Sequence, residues 1–267
     1  MYSLSYHRAN SINDAAGQLS ADADAKLLAG GMTLIPTLKQ RLAAPSKLVD
    51  IGQLEDLRAI ERDGDKLSVG AGAKHAQVAA SAVVKAAIPA LAALAAQIGD
   101  PQVRNQGTMG GSVANNDPAA DYPSAVLGLG ATIVTNQREI AADDFFKGVF
   151  ETALEPGEII LRFVFPLPER ACYMKFPHPA SGYAMTGVFV ACTKAGVRVA
   201  VTGAGPGVFR WHQAEAALTA NFSVKAIDGL HVDASGLNAD LHAPAEYRAN
   251  LVKVMATRAV AELAAAR

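Results

Sequence analysis

The chain has 267 residues, 51% hydrophobic and 18% charged, which excludes a disordered polymer and leaves ample length for a buried core. Its 24 basic and 25 acidic side chains give a net charge of -1, so no overall field favours nucleic acid or an acidic membrane surface. The only cysteines, Cys172 and Cys192, cannot supply the thiolates of an iron–sulfur cluster and are expected as buried free thiols.

The N-terminus lacks a basic segment followed by an apolar one, so no signal peptide is expected. Ser11 followed by Asp14 three positions on predicts the capped start of a short amphipathic helix. A strand is expected over 25–29, a helix over 34–42 with Leu34, Leu38 and Leu42 on one face, and a strand over 47–51. So short a crossover implies that those two strands are adjacent and parallel. Residues 57–73 alternate like a hairpin turning at Asp63-Gly64-Asp65, and helical patterns follow over 75–85 and 87–98. That apolar stretch is broken by Lys85, Pro89 and Gln97, and no run is long enough to span a bilayer.

From Gly99 to Pro123 the sequence is rich in Gly, Asn, Asp and Pro and has no sustained period, which predicts a long functional loop. Strands are expected again over 125–165, with a short helix near 141–146. Beyond Pro166-Leu167-Pro168 three alternating segments predict a three-stranded antiparallel meander, followed by helices over 211–220 and 245–266. The reading is α+β with a domain boundary near residue 168.

Two segments carry the chemistry. Leu28-Ala29-Gly30-Gly31-Met32-Thr33-Leu34-Ile35-Pro36 lies between a strand and a helix, where paired glycines bring backbone N–H groups close to an anion and Thr33 could cap the helix. Gly107-Thr108-Met109-Gly110-Gly111-Ser112 repeats the Gly-Gly element with two hydroxyls, and Asp117 and Asp121 follow with carboxylates suited to sugar hydroxyls. Neither is a P-loop or a dinucleotide fingerprint. Two such segments suit an extended phosphate-bearing ligand held across a cleft. Val199 to Gly207 imitates a dinucleotide loop, but Val208 stands where its third glycine belongs, so a tight turn is expected. The six histidines form no metal-ligand spacing, Asp143, Asp144, Glu155 and Glu158 read as surface charge, and no side chain is assigned a catalytic role. Tyr183, after a Ser-Gly turn, could face a cleft and stack on an aromatic ligand.

Taken together, AGGMTLIP, QVRNQGTMGGSVANNDPAADYP, EPGEII and YMKF resemble the flavoprotein (medium) subunits of the molybdenum hydroxylase, or xanthine dehydrogenase, family, nearest the aerobic carbon monoxide dehydrogenase type. The similarity runs along nearly the whole chain. It implies a two-subdomain FAD-binding domain of the vanillyl-alcohol-oxidase and peptidoglycan-reductase (PCMH) type over 1–168, divided into about 1–56 and 57–168. A C-terminal α+β domain over 169–267 follows. It also implies that Ala29, Gly30, Gly31, Met32, Thr33 and Leu34, with Thr108, Met109, Gly110, Gly111 and Ser112, wrap the FAD diphosphate. Asp117 and Asp121 would lie near the sugar or ribityl hydroxyls, Ile98, Ile160 and Lys175 would line the site, and Tyr183 would sit by the isoalloxazine. The segment departs from the family in Met32, in Ser112 and in the Pro177-His178-Pro179 run, where polar, Asn and basic residues are usual.

The implied function is electron transfer, from [2Fe–2S] clusters on a small partner subunit through FAD to an external acceptor. Molybdopterin would sit on a large subunit, the assembly would be a dimer of heterotrimers, and the location cytoplasmic, with peripheral association at the inner membrane face as an option. Two other readings keep the fold: an FAD-free scaffold subunit, and a stand-alone FAD oxidoreductase with its own substrate pocket. Bound yellow chromophore separates the first from both others.

Overall fold

A computed structural model describes residues 1–265. Its first unit comprises β1 (Ser5–Arg8), α1 (Ile12–Ala21), β2 (Lys26–Leu28), α2 (Leu34–Lys39) and β3 (Lys47–Asp50), with the strands parallel in the order β1-β3-β2. The expected adjacency of β2 and β3 holds, and β1 joins the far side of β3 although no alternation announced it. Ser11 Oγ accepts from the Asp14 amide at 3.1 Å, and Asp14 reaches back to the Asn10 amide at 2.9 Å, so both ends of the cap are satisfied. α2 stops at Lys39, shorter than expected, because Arg41 takes a left-handed φ of 60°. Leu42 is consequently 73% exposed, while Leu38 alone anchors the helix in the core.

The second unit opens with the hairpin β4 (Ile60–Asp63) and β5 (Lys66–Gly70), turning at Gly64 with φ 56°. Six helices follow: α3 (His75–Ala80), α4 (Ala82–Ala87), α5 (Pro89–Ala96), α6 (Pro101–Gln106), α7 (Met109–Asn115) and α8 (Tyr122–Gly128). Then come β6 (Thr132–Thr135), β7 (Glu139–Ala141), α9 (Ala142–Phe145), β8 (Phe146–Gly148), β9 (Glu151–Thr152) and β10 (Ile160–Pro166). The sheet order is β4-β5-β10-β6-β7, and β8 and β9 form a separate hairpin.

Three expectations need correction here. The helix expected over 75–85 breaks at Ser81, whose hydroxyl caps α4. The expected loop over 99–123 holds α6 and α7, each started by its own cap: Asp100 accepts from the Val103 amide at 2.8 Å, and Thr108 from the Gly111 amide at 3.2 Å. Helices of six and seven residues are too short to display a period. The VLGLG segment is mostly helix α8, not strand; all seven α8 residues are buried, so no polar face interrupts the apolar run.

The C-terminal unit holds β11 (Arg170–Pro177), β12 (Ala184–Thr193), β13 (Gly196–Thr202) and β14 (Phe209–Arg210), antiparallel in that order. It is a four-stranded sheet, one strand more than expected; β14 has only two residues and no alternation to read. Helices α10 (His212–Ala220), α11 (Val224–Ile227) and α12 (Ala245–Ala265) complete it, and the last residue of the helix expected over 245–266 lies outside the described residues. Along β12, Val188 and Val190 join the core with Val252, Met255 and Val260 of α12, whereas Phe189 and Ala191 join the core with Val126 and Leu127 of α8. The sheet is therefore covered on both faces, which explains its continuous apolar run. Cys172 and Cys192 are buried and free, and Val199 to Gly207 ends β13 in a turn with Gly203 at φ 81°.

Candidate cofactor site

The two glycine segments meet. A Cβ added at Gly30 would stand 2.2 Å from the Gln106 carbonyl oxygen and 2.8 Å from Gly107 Cα, so only glycine permits this backbone contact. Around the junction opens a cleft of about 1170 Å³. Of the seventeen expected site residues it brings fifteen to its wall: Ala29 to Leu34, Ile98, Thr108, Gly110 to Ser112, Asp117, Asp121, Ile160 and Tyr183.

The first segment leaves its amides uncommitted. Among the described residues, the amides of Gly30, Gly31, Met32, Thr33 and Leu34 donate to no acceptor, and Gly31 takes φ 72°. A row of free N–H groups, with the uncommitted Thr33 hydroxyl beside it, can donate to an anion. The helix-capping role expected of that hydroxyl is not filled, and leaves it available to a ligand.

The second segment works differently from the expectation. Four of its five amides from Thr108 to Ser112 are already taken: Met109 donates to Ala73 O at 3.0 Å, Gly110 to Ala71 O at 2.8 Å, Gly111 to Thr108 Oγ1 and Ser112 to Thr108 O. Its glycines instead permit close packing, since a Cβ at Gly110 would lie 2.6 Å from Ala71 Cβ. Met109 points its side chain into the core and does not reach the cleft. Ser112 and the side-chain-free face of Gly111 remain as the wall.

Lys175 also departs from its expected place. It does not line the cleft; its ammonium is buried, 3.0 Å from Asp121 Oδ1 and 3.0 Å from the Gln97 carbonyl. Tyr173 donates to the same carboxylate at 2.6 Å. Burial pushes the Asp121 carboxyl above its usual range, against the pull of Lys175 and Tyr173. Tyr183 stands half exposed at the same end, its hydroxyl pKa raised by burial and by Asp117 and Asp121. Glu158 corrects another expectation. It is buried and paired, accepting from Thr135 Oγ1 at 2.7 Å and from Arg138, rather than lying on the surface. Asp143 is exposed but committed to Arg198 and Arg210.

Sequence reasoning missed His75 and Phe150, which both line the cleft. His75 is 4% exposed, its amide donates to Gly107 O at 3.0 Å, and its Nδ1 has no partner. Burial, with the Arg104 guanidinium, pushes its pKa down to about 4. Between an ordinary pKa of 6.5 and about 4 the unfolded chain binds a proton that the folded chain refuses, so stability rises with pH through that window. The difference amounts to about 3 kcal/mol, fully recovered above pH 6.5. Urea denaturation from pH 4 to 7 should show this rise in the wild-type chain and a flatter profile in His75→Gln. Parallel profiles would contradict it.

The chain belongs to the family of FAD-binding domains in molybdopterin dehydrogenases, which residues 2–168 match. It is 34% identical to the nicotine 6-hydroxylase medium subunit of Paenarthrobacter nicotinovorans over 98% of each chain. It is also 34% identical to the carbon monoxide dehydrogenase medium chain of Afipia carboxidovorans, over 97% of this chain and 96% of the other. Its fold superposes on reconstituted CO dehydrogenase from Oligotropha carboxidovorans with a TM-score of 0.90 at 32% identity, covering 97% of this chain and 96% of that one. No helix among the described residues is long and apolar enough to cross a membrane.

Proposed function

We propose that this chain is the FAD-binding electron-transfer subunit of a molybdenum hydroxylase complex of the carbon monoxide dehydrogenase type, receiving electrons from [2Fe–2S] clusters of a small partner and passing them to an external acceptor. The observation that carries it is the row of free amides from Gly30 to Leu34, set at one part of a cleft whose other part presents Asp117, Asp121 and Tyr183. When bound, FAD supplies a two-electron carrier that can be filled one electron at a time.

The chain's own residues bind and orient. Gly30 to Leu34 would hold the diphosphate, with Ser112 and Gly111 as the facing wall. Asp117 and Asp121 would accept from polyol hydroxyls, Asp121 held in place by Lys175 and Tyr173. Ile98 and Ile160 contribute apolar wall, and Tyr183 a ring beside the isoalloxazine. No side chain is needed as general acid or base. Residues 1–168, in two subdomains of about 1–56 and 57–168, would form the FAD domain, and 169–267 the domain that braces it. A large molybdopterin subunit, a small iron–sulfur subunit and a cytoplasmic dimer of heterotrimers complete the proposal. The oxidised substrate would be chosen by the large subunit, consistent with relatives named for substrates as unlike as nicotine and carbon monoxide.

Anaerobic mixing of the FAD-loaded chain with the reduced iron–sulfur partner tests the proposal. Bleaching of the flavin band is expected. A flavin that stays oxidised while the complex forms would refute electron transfer.

A further inference from the structure

Phe150 occupies a backbone conformation that folding alone does not explain. It is the second residue of the two-residue turn joining β8 to β9, with φ 57°, the left-handed region where glycine or asparagine is favoured and a bulky side chain is an outlier. Core packing does not compensate, because the residue is 60% exposed. Yet the turn is held firmly. Asn116, buried and itself left-handed at φ 45°, donates through Nδ2 to the carbonyls of Gly148 and Glu151 at 2.8 Å each, and its own carbonyl accepts from the Phe150 amide at 3.3 Å. Asn116 ends α7, so the second glycine segment and the Phe150 turn form one braced unit.

Phe150 lines the cleft, and the tie of its amide to Asn116 places the residue at the Asp117 end, where Tyr183 also stands. Strain maintained by surrounding hydrogen bonds marks functional positions rather than accidents of folding. We propose that Phe150 is a stacking platform for the isoalloxazine ring, a second aromatic wall of the cleft in addition to Tyr183. This rests on the reading of the cleft as an FAD site.

FAD, FMN and ADP are titrated into the full chain, with partner subunits present, for the wild type, Phe150→Leu and Phe150→Gly. Affinity for FAD and FMN should fall about tenfold in both variants while ADP binding is unchanged. The visible circular dichroism of the bound flavin should change as the stacking ring is removed. Thermal stability of Phe150→Gly should not fall, since glycine relieves the left-handed strain; a structural role would lower it. Unchanged flavin affinity and circular dichroism would overturn the proposal, including the case where the variants instead weaken subunit assembly. A loss confined to ADP and FAD would overturn it by moving the ring to the adenine end. If the wild type binds ADP but neither flavin, the FAD reading itself falls, and this proposal with it.

Discussion

Gly30→Ala is expected to weaken FAD binding by about 10- to 100-fold, the equilibrium equivalent of the 1–3 kcal/mol that overpacking typically costs. The added Cβ would meet backbone atoms of Gln106 and Gly107, which cannot swing aside as a flexible side chain can. The two glycine segments must therefore separate, and the free amides from Gly30 to Leu34 lose their position relative to Ser112. Gly17→Ala is the matched control. Gly17 is exposed within α1 and a Cβ there meets nothing within 4 Å, so stability should rise by up to about 1 kcal/mol with FAD affinity unchanged. Equal FAD affinity in the two variants would mean that the junction is not part of the binding site.

Lys175→Met should destabilise the fold by about 3–5 kcal/mol, because it removes one partner of a buried ion pair and leaves the Asp121 carboxylate facing only the Tyr173 hydroxyl. Adding Asp121→Asn should recover much of the loss, since a neutral amide tolerates the site without a cation. Denaturant titration of the two single variants and the double variant measures this coupling. If the losses simply add, Lys175 is not the counter-charge that holds Asp121. FAD affinity should stay low in the double variant, as Asp121 itself lines the cleft.

Much of the wall of the candidate cleft was legible in the sequence because glycine pairs mark where a backbone must come close, and both pairs do line one cleft. The roles were less legible than the positions. Whether an amide is free or spent depends on partners remote in the chain: the Gly110 amide is consumed by Ala71, whereas that of Gly31 is free, and nothing local in the two Gly-Gly elements distinguishes them. Lys175 was placed at the site, but its burial against Asp121 and Gln97 arises from packing β11 against α5, with Asp121 just ahead of α8. Phe150 carried no signal at all, since left-handed backbone at a phenylalanine violates the preference from which turns are read. The fold shows the same division. The Ser11 cap, the β4–β5 hairpin and the β11–β13 meander follow local rules, while α8 reads as a strand because both its environments are apolar.

The most direct test of the account is a calorimetric titration of the chain with FAD, alone and with its two partner subunits, for the wild type and Gly30→Ala. The account predicts stoichiometric binding by the wild type in at least the assembled state, and a marked loss in the variant. Absence of FAD binding in both states would contradict the flavin site and leave the chain a scaffold.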